Sequence, residues 1–261
     1  ERAGLFSFGK SRDTEMFFSR RIGLGNDIFG GGRVTGQAGP ISIGVLTLNT
    51  EDFSEDGLVT PGANNSVIRL RADLLPRTTV GGIFTSIQND GGHNRVVGGD
   101  AQFRFLNSSN VDAWFANVWD SQAGSSSAGA VSFRLQPERW YSVSGEFHSV
   151  DADFSPGLGF VRRRDMVKYS GTVAWTPRFE GSSWARSLVT AGVFDRIDGQ
   201  AGGKQSTRQF WHNMLSLQNG GNVSVNGERR FERLGTEASI QGRPLAAGDY
   251  EFASANMSFR T

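Results

Sequence analysis

The sequence predicts an all-β protein, an antiparallel transmembrane β-barrel, or a large part of one, of about a dozen strands. Three observations carry that prediction. Side chains alternate apolar and polar with period two, short and long connections alternate between the strands, and tryptophans lie close to strand ends. Composition agrees: 35 Gly against 7 Pro, with 11% aromatics, suits twisted strands and tight turns. No apolar run reaches the roughly 18 residues that a membrane helix needs, whereas a membrane strand needs only about 10, alternate ones apolar.

The leading stretch "ERAGLFSFGK" has neither an initiator Met nor the apolar core of a signal peptide. It is therefore expected to belong to a longer protein, any export signal lying upstream, with residues 1–29 packed in or against a barrel formed by residues 30–261. The next stretch, "IFGGGRVTGQAGP" (28–40), superficially suggests a phosphate loop. The spacing excludes one. Gly31 and Gly36 are followed by Gln37 and Ala38 with no lysine, and the third glycine of a dinucleotide fingerprint would fall at Thr35. These glycines are read as strand glycines that let neighbouring strands approach.

In "ISIGVLTL" the apolar set shifts from Ile41 and Ile43 to Leu46 and Leu48, which predicts a bulge near Gly44. "SVIRLRADL" alternates cleanly, with Ile68, Leu70, Ala72 and Leu74 against Arg69, Arg71 and Asp73. The same split sets Phe103 and Phe105 against Asp100, Gln102 and Arg104, then Val143 and Phe147 against Ser144, Glu146 and His148. Further on, Tyr169, Val173 and Trp175 oppose Lys168, Ser170 and Thr172, and Met257 and Phe259 oppose Asn256 and Ser258.

Short links are expected at 38–40, 74–77, 107–110, 136–139, 176–183 and 218–221, and generally longer ones at 50–66, 89–94, 120–129, 150–165, 198–207 and 232–248. Short turns on one side and long loops on the other are what an outer-membrane barrel shows. Trp119, Trp140, Trp175 and Trp184 near strand ends fit rings at a membrane interface, although aromatics also cap soluble β cores.

Charge and composition remove several classes. A net charge of +1 offers no field to attract nucleic acid, and the absence of Cys removes disulfides and thiolate metal sites. Ser144, Glu146 and His148 share a strand face but sit roughly 7 Å apart from one to the next, too far for a hydrolytic triad. Asp151 and Asp153, with Glu51, Asp52, Glu55 and Asp56, could offer oxygen ligands to calcium but lack the EF-hand spacing. His93, His148 and His212 lack ligand spacing. No catalytic set, metal site or cofactor is assigned. The candidate binding residues are the loop run Arg162, Arg163 and Arg164, suited to phosphate or carboxylate, and the polar-face residues Arg69, Arg71, Arg104, Glu146 and His148. With Arg134 and Lys168, the polar-face cations are expected to pair with Asp73, Asp100 and Glu146 in an ion-pair network filling the lumen.

The segments "FFSRRIG", "GGGRVTGQAGPISIGVLTLNT" and "DFSPGLGFVRRRD", in this order, resemble the outer-membrane barrel domain known as domain of unknown function 5916. The resemblance runs from about Leu5 to about residue 195 and returns in "RPLAAGDYEF". It implies a barrel in the outer membrane of a Gram-negative-type bacterial envelope, in contact with lipid and downstream of a carbohydrate-binding module similar to family nine. The family's C-terminal aromatic closing signal is missing from "MSFRT", so the barrel is expected to be incomplete at its C-terminus. No catalytic residues are established for the family, and none carry over. The resulting expectation is a channel or receptor-like domain linked to carbohydrate binding or uptake. A barrel-embedded hydrolase acting on glycan or lipid, and a soluble β-sandwich or propeller binding module, stay open as alternatives.

Overall fold

Period-two alternation gives each strand two chemically distinct faces, and in the computed structural model it yields an all-β chain. The structure describes residues 4–24, 26–55, 58–106, 108–240 and 242–261. Thirteen long strands form one antiparallel sheet. They are β1 (Ile28–Ala38), β2 (Ile41–Thr50), β3 (Asn64–Leu75), β4 (Thr78–Asn89), β5 (Gly92–Phe105), β6 (Ser109–Asp120) and β7 (Gly124–Leu135). After them come β8 (Tyr141–Val150), β9 (Met166–Trp175), β10 (Ala185–Asp198), β11 (Lys204–Leu217), β12 (Asn222–Leu234) and β13 (Gly248–Arg260). Every strand pairs with its neighbour in sequence, so the sheet is a meander with connections at alternate ends. One turn of 3₁₀ helix, Ser19–Arg21, interrupts the strands.

The sheet is open in this chain, with β1 and β13 at its two edges. Thirteen antiparallel strands leave the first and last running the same way. A direct β1 to β13 pairing would be parallel, and an all-antiparallel closure needs an odd number of further strands.

Two of the expected long loops are tight turns. Strand β4 runs to Asn89 and pairs it with Gly92, whose φ of +146° suits glycine. The β6 to β7 turn is closed by Asp120, whose carboxylate accepts from the backbone N–H groups of Gln122 (2.8 Å) and Ala123 (3.0 Å). Gly, Ser and Asp in these stretches serve compact turns and polar strand ends, not long excursions. The 50–66 connection holds a small hairpin, Phe53–Glu55 with Leu58–Thr60.

No bulge occurs at Gly44. The pairings of β1 with β2 and of β2 with β3 run through it without a shift, and the one irregularity in the β1 to β2 pairing lies between Ile28 and Gly30. The apolar pattern changes along β2 because the chemistry of its two faces exchanges. Toward the longer loops one face becomes polar, with Thr47, Asn49, Asn64 and Ser66 hydrogen-bonded to one another, while Leu46 turns to the opposite face beside Val67. At Gly31 the strand-glycine reading holds, since an added Cβ would meet the Thr47 carbonyl.

The chain divides into two compact units. The first comprises Glu1–Arg104, Asp112–Val131 and Ser149–Met166, and the second Phe105–Val111, Ser132–His148 and Val167–Thr261. The first unit buries Val67, Ile83, Val96, Ala116 and Val118 from its strands against Leu5, Phe6, Phe8 and Met16 of the leading segment and Phe154 and Leu158 of the β8 to β9 connection. That connection, one of the expected longer ones, is folded in. Its Asn94 clasp (Asn94 Nδ2 to the Ser155 carbonyl, 2.9 Å; Gly157 N–H to Asn94 Oδ1, 2.7 Å) and a three-stranded pairing of Gly9–Lys10, Thr14–Glu15 and Phe160–Val161 tie it down.

Candidate functional site

The alternation at Val67 and Arg69 points both side chains to the packed face of the first unit, and Arg69 is 1% exposed. A guanidinium removed from water needs a partner. Asp100 on β5 supplies it in a fork, with Nη1 to Oδ1 and Nη2 to Oδ2 both 2.7 Å. Gly81 on the intervening strand β4 makes room: an added Cβ would lie 2.5 Å from both Arg69 Nη1 and Asp100 Oδ1.

On this fork rests the leading segment. The Arg69 guanidinium lies 5.1 Å from the Phe8 ring centroid, and Trp114 meets the same ring edge-on at 6.3 Å. Beneath Phe8 is Gly98, where a Cβ would come within 2.6 Å of Phe8 Cζ. Phe6 repeats the arrangement. Its ring sits over Gly44, where a Cβ would come within 2.8 Å of Phe6 Cζ, and the Arg33 guanidinium lies 5.4 Å from its centroid. Each buried Phe contributes roughly 2–3 kcal/mol of hydrophobic stabilisation. Two glycine floors, two arginine covers and two phenylalanines thus fasten residues 5–8 to the sheet.

The remaining sequence candidates are dispersed. Arg104 lines a recess of about 480 Å³ by the β3 to β4 turn, together with Asp73, Arg77, Thr79 and Gln102. Arg71 pairs in register with Ser42 and Gly81, and Asp73 accepts from the Thr79 hydroxyl at 2.8 Å. Arg162 donates its backbone N–H to the Asp13 carbonyl (2.8 Å), which ties the folded-in connection to the leading segment, and Arg164 donates to Ser155 Oγ (3.1 Å) within that connection. Of the calcium candidates, Asp151 accepts from the Ser127 N–H (2.7 Å) and hydroxyl (2.9 Å), and Asp52 from the Gly62 N–H (2.7 Å). Asp56 and the Glu55 side chain lie outside the described residues.

In the second unit, Glu146 joins Arg134, Ser132, Ser144 and Thr172 around a polar recess of about 250 Å³, and His148 is fully buried. The expected ion-pair network is therefore partial. Among the described residues, Arg69 is paired, while no ion pair joins Arg71, Arg104, Arg134 or Lys168 to an acid. A network does form where none was foreseen. Glu228 accepts from Arg208 at 2.6 Å and from Arg230 at 2.9 Å, and Asp195 stands 3.9 Å from Arg208. A ladder continues it along the same face through His212 to Asn226 (2.6 Å), Asn226 to Asn256 (2.9 Å) and Ser224 to Ser258 (2.7 Å).

The opposite face of each unit is apolar and exposed. In the first it presents Val34, Ile43, Ile68, Leu70, Val97 and Phe103, and in the second Tyr169, Val173, Phe194, Val225, Met257 and Phe259. Trp119, Trp140, Trp175 and Trp184 are exposed as well, so they do not cap a buried core.

The particular contacts of Phe6 and Phe8 with strand glycines escaped sequence reasoning. The signal for them was present as glycines on the packed face of otherwise regular strands, together with "FSF" upstream, but nothing local joins the two. Fold and site together define an all-β protein built on a thirteen-stranded antiparallel meander with polar and apolar faces. No protein-family model, curated protein or solved structure matches the chain.

Proposed function

We propose that this chain is the outer-membrane β-barrel domain of a larger exported protein, a channel or receptor-like component occluded by its own leading segment and β8 to β9 connection. The observation that carries the reading is the polarity of the strands. Arg69 is buried while Leu70 beside it is 47% exposed, and large apolar side chains stay exposed on the same face of consecutive strands. Such a surface in water is an aggregation liability, whereas against acyl chains it is the stable arrangement. Exposed Trp140, Trp175 and Trp184 beside the β7 to β8 and β9 to β10 connections suit an aromatic girdle at one interface. On this reading, closure is completed by an odd number of further strands, and kinship is to the family of domain 5916, whose carbohydrate-binding module would lie upstream.

Vesicle insertion tests the assignment. The chain refolded into phospholipid vesicles should float with them and migrate differently in gels before and after boiling. A monodisperse species in detergent-free buffer would overturn it. Orientation has its own test: an epitope tag after Gln200 should be surface-accessible in whole cells and one after Pro137 should not, and the reverse result would invert the topology. Planar-bilayer recording of the closed barrel should show poor conductance, rising when residues 4–18 are deleted. Large, steady, unselective currents from the undeleted chain would overturn the occlusion.

A further inference from the structure

We propose that the polar recess of the second unit is a saccharide site that takes one neutral sugar ring. The inference is independent of the membrane assignment, because every residue it uses lies within that unit. Alternation builds the site. Three consecutive strands each send two polar-face side chains to it, Ser132 and Arg134 from β7, Ser144 and Glu146 from β8, and Ser170 and Thr172 from β9, while β6 adds Asn110. All but Arg134 and Glu146 are short, so the wall is hollow where they meet. The volume of about 250 Å³ falls just below the roughly 300 Å³ at which small-ligand pockets begin, which limits the occupant to a single ring.

The polar groups around the recess are left open. Among the described residues, the Ser132, Ser144, Ser170 and Thr172 hydroxyls and the Arg134 guanidinium make no hydrogen bond or ion pair within the chain. On β11 to β13 the polar face of the same unit instead closes on itself, His212 with Asn226 (2.6 Å), Asn226 with Asn256 (2.9 Å) and Ser224 with Ser258 (2.7 Å). Four hydroxyls, each able to donate and to accept, match a ligand whose own groups do both, which is the chemistry of a sugar. Arg134 offers a fork of donors to two adjacent ring hydroxyls, and the Glu146 carboxylate is an acceptor for others. The same two residues fix the ligand's charge. An anion drawn to Arg134 meets Glu146, and a cation drawn to Glu146 meets Arg134, so a neutral ring is favoured.

The test uses the full chain refolded in detergent, titrated with glucose, galactose and N-acetylglucosamine and followed by saturation-transfer NMR. At least one of these sugars should bind saturably, with a Kd on the order of 1–10 mM. The double variant Ser144→Ala, Thr172→Val removes two hydroxyls without changing the charge, and should weaken that binding at least about fivefold, as expected for two neutral hydrogen bonds. No saturable binding of any of the three below about 100 mM would overturn the proposal, as would unchanged binding to the double variant or tighter binding of glucuronate than of glucose. A second measurement needs no variant. The permethylated form of the bound sugar keeps the ring but has no hydroxyl to donate, so it should not bind, and binding equal to that of the parent sugar would also overturn the proposal. Vesicle flotation should be the same for the double variant and the unaltered chain, so loss of sugar binding and loss of membrane insertion are read separately.

Discussion

Replacing Arg69 by Gln is expected to destabilise the first unit by about 3 kcal/mol, at the low end for breaking a buried pair because Asp100 keeps 29% exposure. Alternation alone assigns this position to the lumen side, away from lipid, where Gln would cost little. Burial reverses that expectation. Gln cannot reproduce the fork, so the Asp100 carboxylate loses its countercharge, and the cover over Phe8 goes with it. Chemical unfolding of the refolded variant, followed by tryptophan fluorescence, measures the loss. Adding Asp100→Asn should recover part of it, since no uncompensated charge then remains. A loss below about 1 kcal/mol would mean that Arg69 behaves as a surface ion pair and that the packed face is wet.

The neighbouring position should respond to the solvent rather than to packing. Leu70 points away from the packed face, so Leu70→Arg in water should change stability by no more than about 0.5 kcal/mol. Across a bilayer the same change should cost about 2–4 kcal/mol, because it places a guanidinium in hydrocarbon. Asn64→Arg is the control. It lies on the same face of the same strand, but at its polar end among Thr47, Asn49 and Ser66, where the expected cost is about 0–1 kcal/mol. Urea unfolding from vesicles gives both values, and equal small costs at the two positions would sink the membrane reading.

Much of the fold was legible because a strand's facing is a local property. In "SVIRLRADL" each residue declares its side by its own chemistry, and the observed exposure of Ile68 and Leu70 against the burial of Arg69 follows that alternation. Connection residues were legible too, as positions if not always as lengths: the Gly- and Ser-rich stretches at 89–94 and 120–129 announced turns, but whether a strand continues into them depends on pairing with the next strand. The apparent slip at Gly44 had the same cause, since a change of apolar register looks alike whether the backbone bulges or the surroundings of its two faces exchange.

The sequence by itself determined the all-β class, the alternation of faces, the order of the turns and the chemistry that rules out nucleotide loops and thiolate sites. Only the tertiary structure decided that the sheet is open at β1 and β13, that the β8 to β9 connection folds in, and that Arg69 is a buried clamp. The physical reason is separation along the chain. Phe6 with Gly44, Phe8 with Gly98 and Arg69 with Asp100 are pairings of residues tens of positions apart, and a glycine in a strand is compatible with flexibility, close strand approach or a ring pressed against the backbone. Which of these holds depends on the atom that comes to rest beside it, and that atom is supplied by a part of the chain whose arrival no local pattern encodes.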